Sequence, residues 1–397
     1  MEKKMKGVTL FADWDPRPEF KLGFKDIEKV QTYLGSKVWR NPRIEIVDHD
    51  VPVPGEGEVL VEVKACGICG SDVHMAQAQE DGYIFYPGLT GFPVILGHEL
   101  SGVVVEVGPN TFDKHTGKPF KGGEYVCTEE MLWCGKCKPC SEGLPNHCER
   151  LNEIGFNVNG GFAKYIKLPA KSLWSIEPLK KRYSEEDIFL AGSLVEPTSV
   201  AYNAVITVAG GVKPGDNVVI CGGGPVGLAA CAILKRNGAA RVIISEPEEL
   251  RANIAKKMGA DYVINPLKED FVDKVLELTD GMGANLYLEA TGLHTIVYPQ
   301  IEKCIWEGRI VGSTVCVVSR ADEKMPVTGE VLQVRRAKIC GAYGHAGHSN
   351  FYRVIESIAD GMDVLPLITK KINLEEVPEN IIKLQTDKSE CKITCVM

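Results

Sequence analysis

Four cysteines, Cys134, Cys137, Cys140 and Cys148, stand at the spacing C-x2-C-x2-C-x7-C within CGKCKPCSEGLPNHC. Four thiolates can close the tetrahedral shell of one zinc ion, and a closed shell leaves no position for water or substrate. A metal bound there holds a loop in shape. Metal chemistry therefore needs ligands elsewhere, and three other segments carry them. CGICGSDVH offers Cys66, Cys69, Asp72 and His74, GHELSG offers His98 and Glu99, and SLVEPTSVAYNAV offers Glu196. Glu196 stands out, because a carboxylate in an apolar run is costly to bury unless it is paired or binds a metal. One thiolate, one imidazole and one carboxylate on zinc leave a fourth position open, the pattern of catalytic sites. Spacing alone does not choose between Cys66 and Cys69.

A second chemistry lies downstream. Gly222-Gly223-Gly224-Pro225-Val226-Gly227 fits G-x-G-x-x-G, with the apolar run Val218–Ile220 before it and a helical pattern from Leu228 to Arg236 after it. In that context Gly222 permits the tight turn, Gly224 lets backbone approach a pyrophosphate, and Gly227 allows close helix–strand packing. The helix N-terminus then offers free N–H groups to phosphates. Glu246 ends the next apolar run, 19 residues after Gly227, where an acid binds ribose hydroxyls and repels a 2′-phosphate. The expectation is NAD rather than NADP. Arg251 is the opposing signal, since a nearby base accommodates that phosphate.

The elements that must position these groups change character near residue 200. Before it, EVLVEVKACG, FPVILGHELSGVVVEVG and EYVCTEEM are short β-branched runs broken by Gly and Pro, the grammar of an antiparallel or barrel-like domain. Beyond it, NVVICGGG, ARVIISEP, ADYVINP, ANLYLEATG and GRIVGST read as strands alternating with helices, which implies βαβ units and a parallel sheet. From about Ala342 a helix, NFYRVIESIADGM, and then strands such as CKITCVM return to the first grammar. The expected class is α/β with three segments: 1–199 catalytic, holding the cysteine lobe 134–148, then 200–341 dinucleotide-binding, then 342–397 rejoining the first.

The 397 residues carry a net charge of −8, with 44% apolar and 25% charged residues. That acidic balance argues against nucleic acid or an anionic membrane as the main partner. No run of 18 apolar residues suggests a spanning helix, and no apolar run of signal length follows the basic start MEKKMK. Ten of the 14 cysteines are scattered outside the lobe, unlike a secreted disulfide framework. A reduced, cytoplasmic location is expected. His345 and His348 in AYGHAGHSN lack a neighbouring acid or cysteine in sequence and are expected to be solvent-exposed, not ligands.

Taken together, CGICGSD, GHE followed by SGVVVEVG, the cysteine lobe and LVEPTSV ahead of a dinucleotide turn resemble the zinc-dependent medium-chain dehydrogenases. The resemblance runs from about Val51 to the last residues. It implies a GroES-like β-rich catalytic domain, a Rossmann doubly wound parallel sheet, and two zinc ions per subunit with NAD. It places the catalytic zinc on Cys69 and His98, with Glu196 at the third-ligand position, where the polyol branch binds zinc directly or through water, and Glu99 beside the metal and able to approach it. It gives Cys134, Cys137, Cys140 and Cys148 the structural zinc, leaves Cys66 a packed thiol, and implies a homo-oligomer, dimer or tetramer. Segments FADWDPRPEFKLG, FYPGLTGFPVILGHE and EEMLWCGKC are similar to the inosose-oxidising branch of inositol catabolism, implying a cyclic polyol or keto-polyol substrate. Sorbitol, butanediol or threonine oxidation is the alternative within enzymes, and a non-enzymatic NAD-sensing zinc protein the alternative outside them. A stretch including DIEKVQTYLGSKVWRNPR departs from the wider family and is expected to shape the substrate pocket or a subunit contact.

The implied chemistry has a definite scale. Zinc lowers the pKa of bound water from ~16 to ~7, and a coordinated alcohol should respond similarly. Such a drop is about 12 kcal/mol at ~1.36 kcal/mol per unit. General-base help is typically worth roughly 10²–10⁴-fold, about 3–5 kcal/mol, so metal activation dominates. Ser71 matches the family's hydroxyl relay and His74 the imidazole that passes the proton outward, a task suited to a group titrating near neutrality.

Overall fold

The computed structural model describes residues 3–322, 324–345 and 347–397. Strands β1 (Lys4–Trp14) and β2 (Trp39–Asp50) pair antiparallel over most of their length, and β4 (Val94–Ile95) adds to the far side of β1. The main mixed sheet is built on β3 (Glu58–Gly67), whose β-branched residues Val59, Val61 and Val63 are all buried. β5 (Glu99–Val107) lies beside β3, followed by β6 (Tyr125–Thr128) and β10 (Leu173–Ser175). On the other side of β3 come β18 (Lys392–Val396) and then β17 (Ile368–Ile372), while β9 (Tyr165–Pro169) also pairs with β3. A small pair, β7 (Met131–Leu132) and β8 (Asn152–Glu153), flanks the cysteine lobe.

Between β10 and β17 runs a six-stranded, wholly parallel sheet. Its strands are β11 (Asn217–Cys221), β12 (Arg241–Ser245), β13 (Tyr262–Ile264), β14 (Leu286–Glu289), β15 (Thr314–Val317) and β16 (Lys338–Gly341). Their spatial order is β13-β12-β11-β14-β15-β16, and all pairings are parallel. The order reverses between β11 and β14. In doubly wound sheets, ligands bind at such a reversal, beyond the carboxyl ends of the strands. Among the described residues no helix is long and apolar enough to cross a membrane.

Two local readings differ from the sequence expectation. The helix after the glycine turn spans Pro225–Arg236, starting three residues early. Proline suits that first position, because its missing N–H would be unpaired there anyway. GRIVGST is not a strand: Gly312 takes φ +91° and Arg335 gathers the carbonyls of Ile305 and Ile310, so the strand begins at Thr314. The segment around Glu196 is helical over Val195–Tyr202 and runs on as a π-helical turn over Asn203–Val208, a rod crossing position 200.

The extra N-terminal stretch packs against the segment that runs through Gly88 and Thr90. Thr32 exchanges two 2.9 Å backbone hydrogen bonds with Thr90, and Gly35 donates to the Gly88 carbonyl at 2.9 Å. It thereby braces the loop that carries Tyr86.

Candidate active site

A buried carboxylate assembles the first cluster. Asp72, fully buried in the helix Gly70–Ala76, accepts the Cys69 N–H at 2.9 Å and the Gly97 N–H at 3.3 Å. It thus ties the Cys69 turn to the segment holding His98. Ligand atoms of Cys69, His98 and Glu99 lie within 4.8 Å of one another. His98 sets Nε2 3.5 Å from Ser71 Oγ and Nδ1 3.8 Å from Asp72 Oδ1, and its buried Nδ1 has no hydrogen-bond partner. A thiolate, an imidazole and carboxylates form a borderline-soft donor set suited to zinc. Metal-bound histidines usually direct their other nitrogen at a carboxylate, as His98 does toward Asp72.

Glu99 is engaged by a cation that sequence reading missed. Lys392 Nζ lies 2.6 Å from both Glu99 oxygens and donates to the Ile68 carbonyl at 2.9 Å, with both side chains nearly excluded from solvent. Burial works against the Lys392 charge, yet the Glu99 carboxylate outweighs it and holds the amine above the ordinary lysine value. Gly67, opposite Glu99 in register, leaves the room: a Cβ there would lie 2.2 Å from Glu99 Oε2.

Glu196 lines the same cleft, but its nearest group is a different one. Glu196, Glu130 and His345 place ligand atoms within 4.8 Å of one another, and all three are buried. His345 Nε2 lies 2.6 Å from Glu130 Oε2 and 3.4 Å from Glu196 Oε1. Burial opposes charge on His345, but these two carboxylates lift it to about 9. Burial pushes Glu196 up to about 7, with His345 and His98 pulling the other way. The expectation that His345 is solvent-exposed is therefore wrong. Acids distant in sequence surround it, and Asn203 on the rod donates to the Gly344 carbonyl at 2.8 Å, fixing its loop. His348 is exposed, as expected.

Cys69, His98, Ser71, His74, Glu196 and the turn residues Pro225 and Val226 line one cleft of about 590 Å³. His74 corrects a second expectation. Burial, helped by the Lys388 charge, lowers it to about 4, so it stays neutral at pH 7 instead of titrating there. Its ring packs against Phe85 at 5.1 Å. Cys66 is fully buried and serves as packing.

Four further lining residues, Tyr86, Glu153, Arg320 and Tyr343, form a polar wall of the cleft. Tyr343 donates its hydroxyl to Glu153, and Arg320 Nη1 donates to Tyr86 Oη at 3.0 Å. The Arg320 guanidinium lies 5.1 Å from the Tyr86 ring centroid and 5.3 Å from that of Tyr343. None of these four residues was singled out from sequence. Glu153 offered the same signal as Glu196, a carboxylate beside an apolar run, and Lys392 the corresponding cation.

The four lobe sulfurs also lie within 4.8 Å of one another. Backbone N–H groups point at them: Cys134 and Arg150 donate to Cys148 Sγ at 3.3 Å, Lys136 to Cys134 Sγ and Glu149 to Cys137 Sγ at 3.4 Å. Such donors favour thiolate, the form that binds zinc. The lobe reaches the cleft through Asn146, which donates to the Tyr343 carbonyl at 2.8 Å. Replacing Cys137 with serine should lower the thermal midpoint by several degrees, at about 2–4 °C per kcal/mol lost. It should also raise KM through Tyr343. A folded, equally stable but inactive variant would contradict a scaffold role.

On the other side of the glycine turn, Gly222 and Gly224 line a second cleft of about 590 Å³ with Glu246, Arg251, Thr291 and Lys388. Gly222 takes φ +102°, and a Cβ on Gly227 would fall 2.0 Å from the Gly222 carbonyl oxygen. Nothing lies within 4 Å of a Cβ built on Gly224, which leaves the cradle open for a phosphate. Glu246 is fixed at the strand end by the N–H groups of Gly223 at 2.7 Å and Glu248 at 2.8 Å. Arg251 is committed elsewhere: its guanidinium holds the Glu390 carbonyl at 2.7 and 3.1 Å.

Comparison with known proteins agrees with this geometry. Residues 55–178 match the alcohol dehydrogenase GroES-like domain, and residues 225–360 match the zinc-binding dehydrogenase model. The chain is 61% identical over 393 residues to scyllo-inosose 3-dehydrogenase of Thermotoga maritima, covering 98% of this chain and 99% of that one. It is 35% identical to L-threonine 3-dehydrogenase of Pyrococcus furiosus over 82% of this chain and 87% of the relative. A solved Thermotoga maritima structure superimposes with TM-score 0.95 at 60% identity, covering 99% of this chain and 100% of the other. The 2R,3R-butanediol dehydrogenase of Bacillus subtilis gives 0.74 at 26% identity, covering 99% of each. With its GroES-like sheet, parallel nucleotide-type sheet and Cys–His–Glu cleft between them, the chain belongs to the zinc-binding dehydrogenases of the alcohol dehydrogenase family.

Proposed function

We propose that this dehydrogenase oxidises a secondary hydroxyl of a cyclic polyol or keto-polyol of the scyllo-inosose class, with NAD as acceptor. The observation that carries the reading is one cleft lined by Cys69, His98 and Glu196, by Pro225 and Val226 of the dinucleotide turn, and by the polar side chains of Tyr86, Glu153, Arg320 and Tyr343. The 61% identical relative supports the substrate class. Segments 1–199 and 342–397 form the catalytic part in this reading, and 200–341 the NAD-binding part. A cytoplasmic homo-oligomer, dimer or tetramer, is the setting.

Cys69, His98 and Glu196 would hold the catalytic zinc, with Glu99 kept beside it by Lys392, and Cys134, Cys137, Cys140 and Cys148 the structural one. When bound, the catalytic zinc acts as a Lewis acid that makes a substrate hydroxyl acidic near neutral pH. NAD supplies the hydride acceptor. The chain's own work is positional and protonic. Gly222–Gly227 and the helix N-terminus seat the pyrophosphate, and Glu246 accepts from the ribose hydroxyls. Ser71 would relay the proton, its Oγ accepting the substrate's as its own O–H proton passes on, and His74, which lines the same cleft, would hand it outward toward solvent. Apolar Val226 and Val318 shield the reacting face from water.

The test is NADH absorbance with the zinc-loaded protein across scyllo-inosose, inositols, sorbitol, butanediol and threonine. A cyclic polyol or inosose should give the highest kcat/KM. Threonine or butanediol at the top would overturn the substrate assignment while leaving the dehydrogenase class intact.

A further inference from the structure

Glu153 is 1% exposed, yet it borders the catalytic cleft at the end of the short strand β8. One carboxylate oxygen accepts from the Tyr343 hydroxyl, while the other, Oε2, is buried with no hydrogen-bond partner. An unmet buried acceptor is unfavourable, more so on a carboxylate, and such atoms call for a ligand or a function. The surroundings do not meet the need: Glu130 is a second acid, and the Arg320 hydrogen bond goes to Tyr86. Burial, with Glu130 nearby, pushes Glu153 up to about 7, against the pull of Tyr343 and Arg320.

The group is assembled at the cleft from separate pieces of chain. Glu153 comes from the strand pair beside the cysteine lobe, and Tyr86 from the loop braced by the N-terminal stretch. Arg320 follows β15 and Tyr343 follows β16. A substrate hydroxyl both donates and accepts, so it can donate to a carboxylate oxygen while accepting from a guanidinium or phenol. A simple alcohol has no second hydroxyl to reach this wall.

Resting on the polyol reading above, we propose that Glu153 is a specificity-determining residue whose free oxygen Oε2 accepts a hydrogen bond from a substrate hydroxyl other than the one being oxidised. Tyr343 holds the carboxylate in place, and the Arg320–Tyr86 pair closes the same subsite. The reading commits this wall to polyols, since a site that pairs with a hydroxyl discriminates strongly against analogues lacking it.

The experiment compares kcat/KM for the best polyol of the panel with that for cyclohexanol, in wild type, Glu153→Gln and Glu153→Ala holoenzymes. Loss of a hydrogen bond to a charged group predicts that the polyol-to-cyclohexanol ratio falls about 10- to 100-fold in Glu153→Ala. Glu153→Gln, which keeps shape and one acceptor, should lie between. A ratio unchanged in both variants, or equal losses on both substrates, would overturn the proposal. Wild-type turnover of inosose tests the proposed function separately, because the ratio is taken on whichever polyol is oxidised best.

Discussion

Replacing Cys69 with serine should reduce polyol oxidation by at least about 10³-fold while NAD still binds at the Gly222–Gly227 turn. Serine keeps the size and the backbone that Asp72 grips through the Cys69 N–H, so the fold of the turn survives. It removes the thiolate, the soft member of the donor set formed with His98 and the nearby carboxylates. An acidified hydroxyl is worth up to about 12 kcal/mol at ~1.36 kcal/mol per pKa unit, whereas the proton relay supplies less than half of that. Losing even 4 of those, as an order of magnitude, accounts for about three decades of rate. The checks are steady-state NADH formation, metal content, and nucleotide binding by calorimetry. Unchanged turnover in a variant stripped of its catalytic metal would defeat the scheme, and lost nucleotide binding would show that the damage had spread across the turn.

The second large effect concerns stability. Replacing Lys392 with methionine should cost about 3–5 kcal/mol in chemical denaturation, the range for breaking a buried pair by removing one partner. Methionine nearly preserves the volume, so the loss isolates the charge. Glu99, 1% exposed, would keep no cation at 2.6 Å, and the Ile68 carbonyl would lose its donor. Combining Lys392→Met with Glu99→Gln should recover most of the loss, because neither charge then remains buried alone. A single-variant cost below about 1 kcal/mol, typical of exposed pairs, would mean that solvent reaches this corner of the cleft.

The contrast between what sequence did and did not reveal follows from where partners sit along the chain. The cysteine lobe and the glycine turn are local: each brings its groups together within 15 residues, so type and spacing suffice. Cys69 and His98 required a resemblance, because the atom joining their segments, a carboxylate oxygen of Asp72, is read as one more potential ligand until coordinates show it accepting backbone N–H groups. His345 went wrong for the same reason. Its acids are Glu130 and Glu196, far away in sequence, and a glycine-rich neighbourhood suggested solvent. The titration of His74 was misjudged because burial and the Lys388 charge act on it, and no motif records either. Glu153 and Lys392 were within reach, since a charge among apolar neighbours is the argument that picked out Glu196. The parallel sheet was legible from alternation of strand and helix, but the end of one strand was not, because Arg309–Ser313 has strand composition and a turn's hydrogen bonds.

The seating of β18 next to β3, with Cys395 opposite Cys66, has a kinetic consequence. Joining segments so distant in sequence means closing a very large loop, which makes high-contact-order structure slow to form. The intervening parallel sheet can collapse first from neighbouring βαβ units, drawing the two ends together. Nascent chains would then acquire nucleotide affinity before they acquire turnover, and the Lys392–Glu99 contact would be among the last to be made.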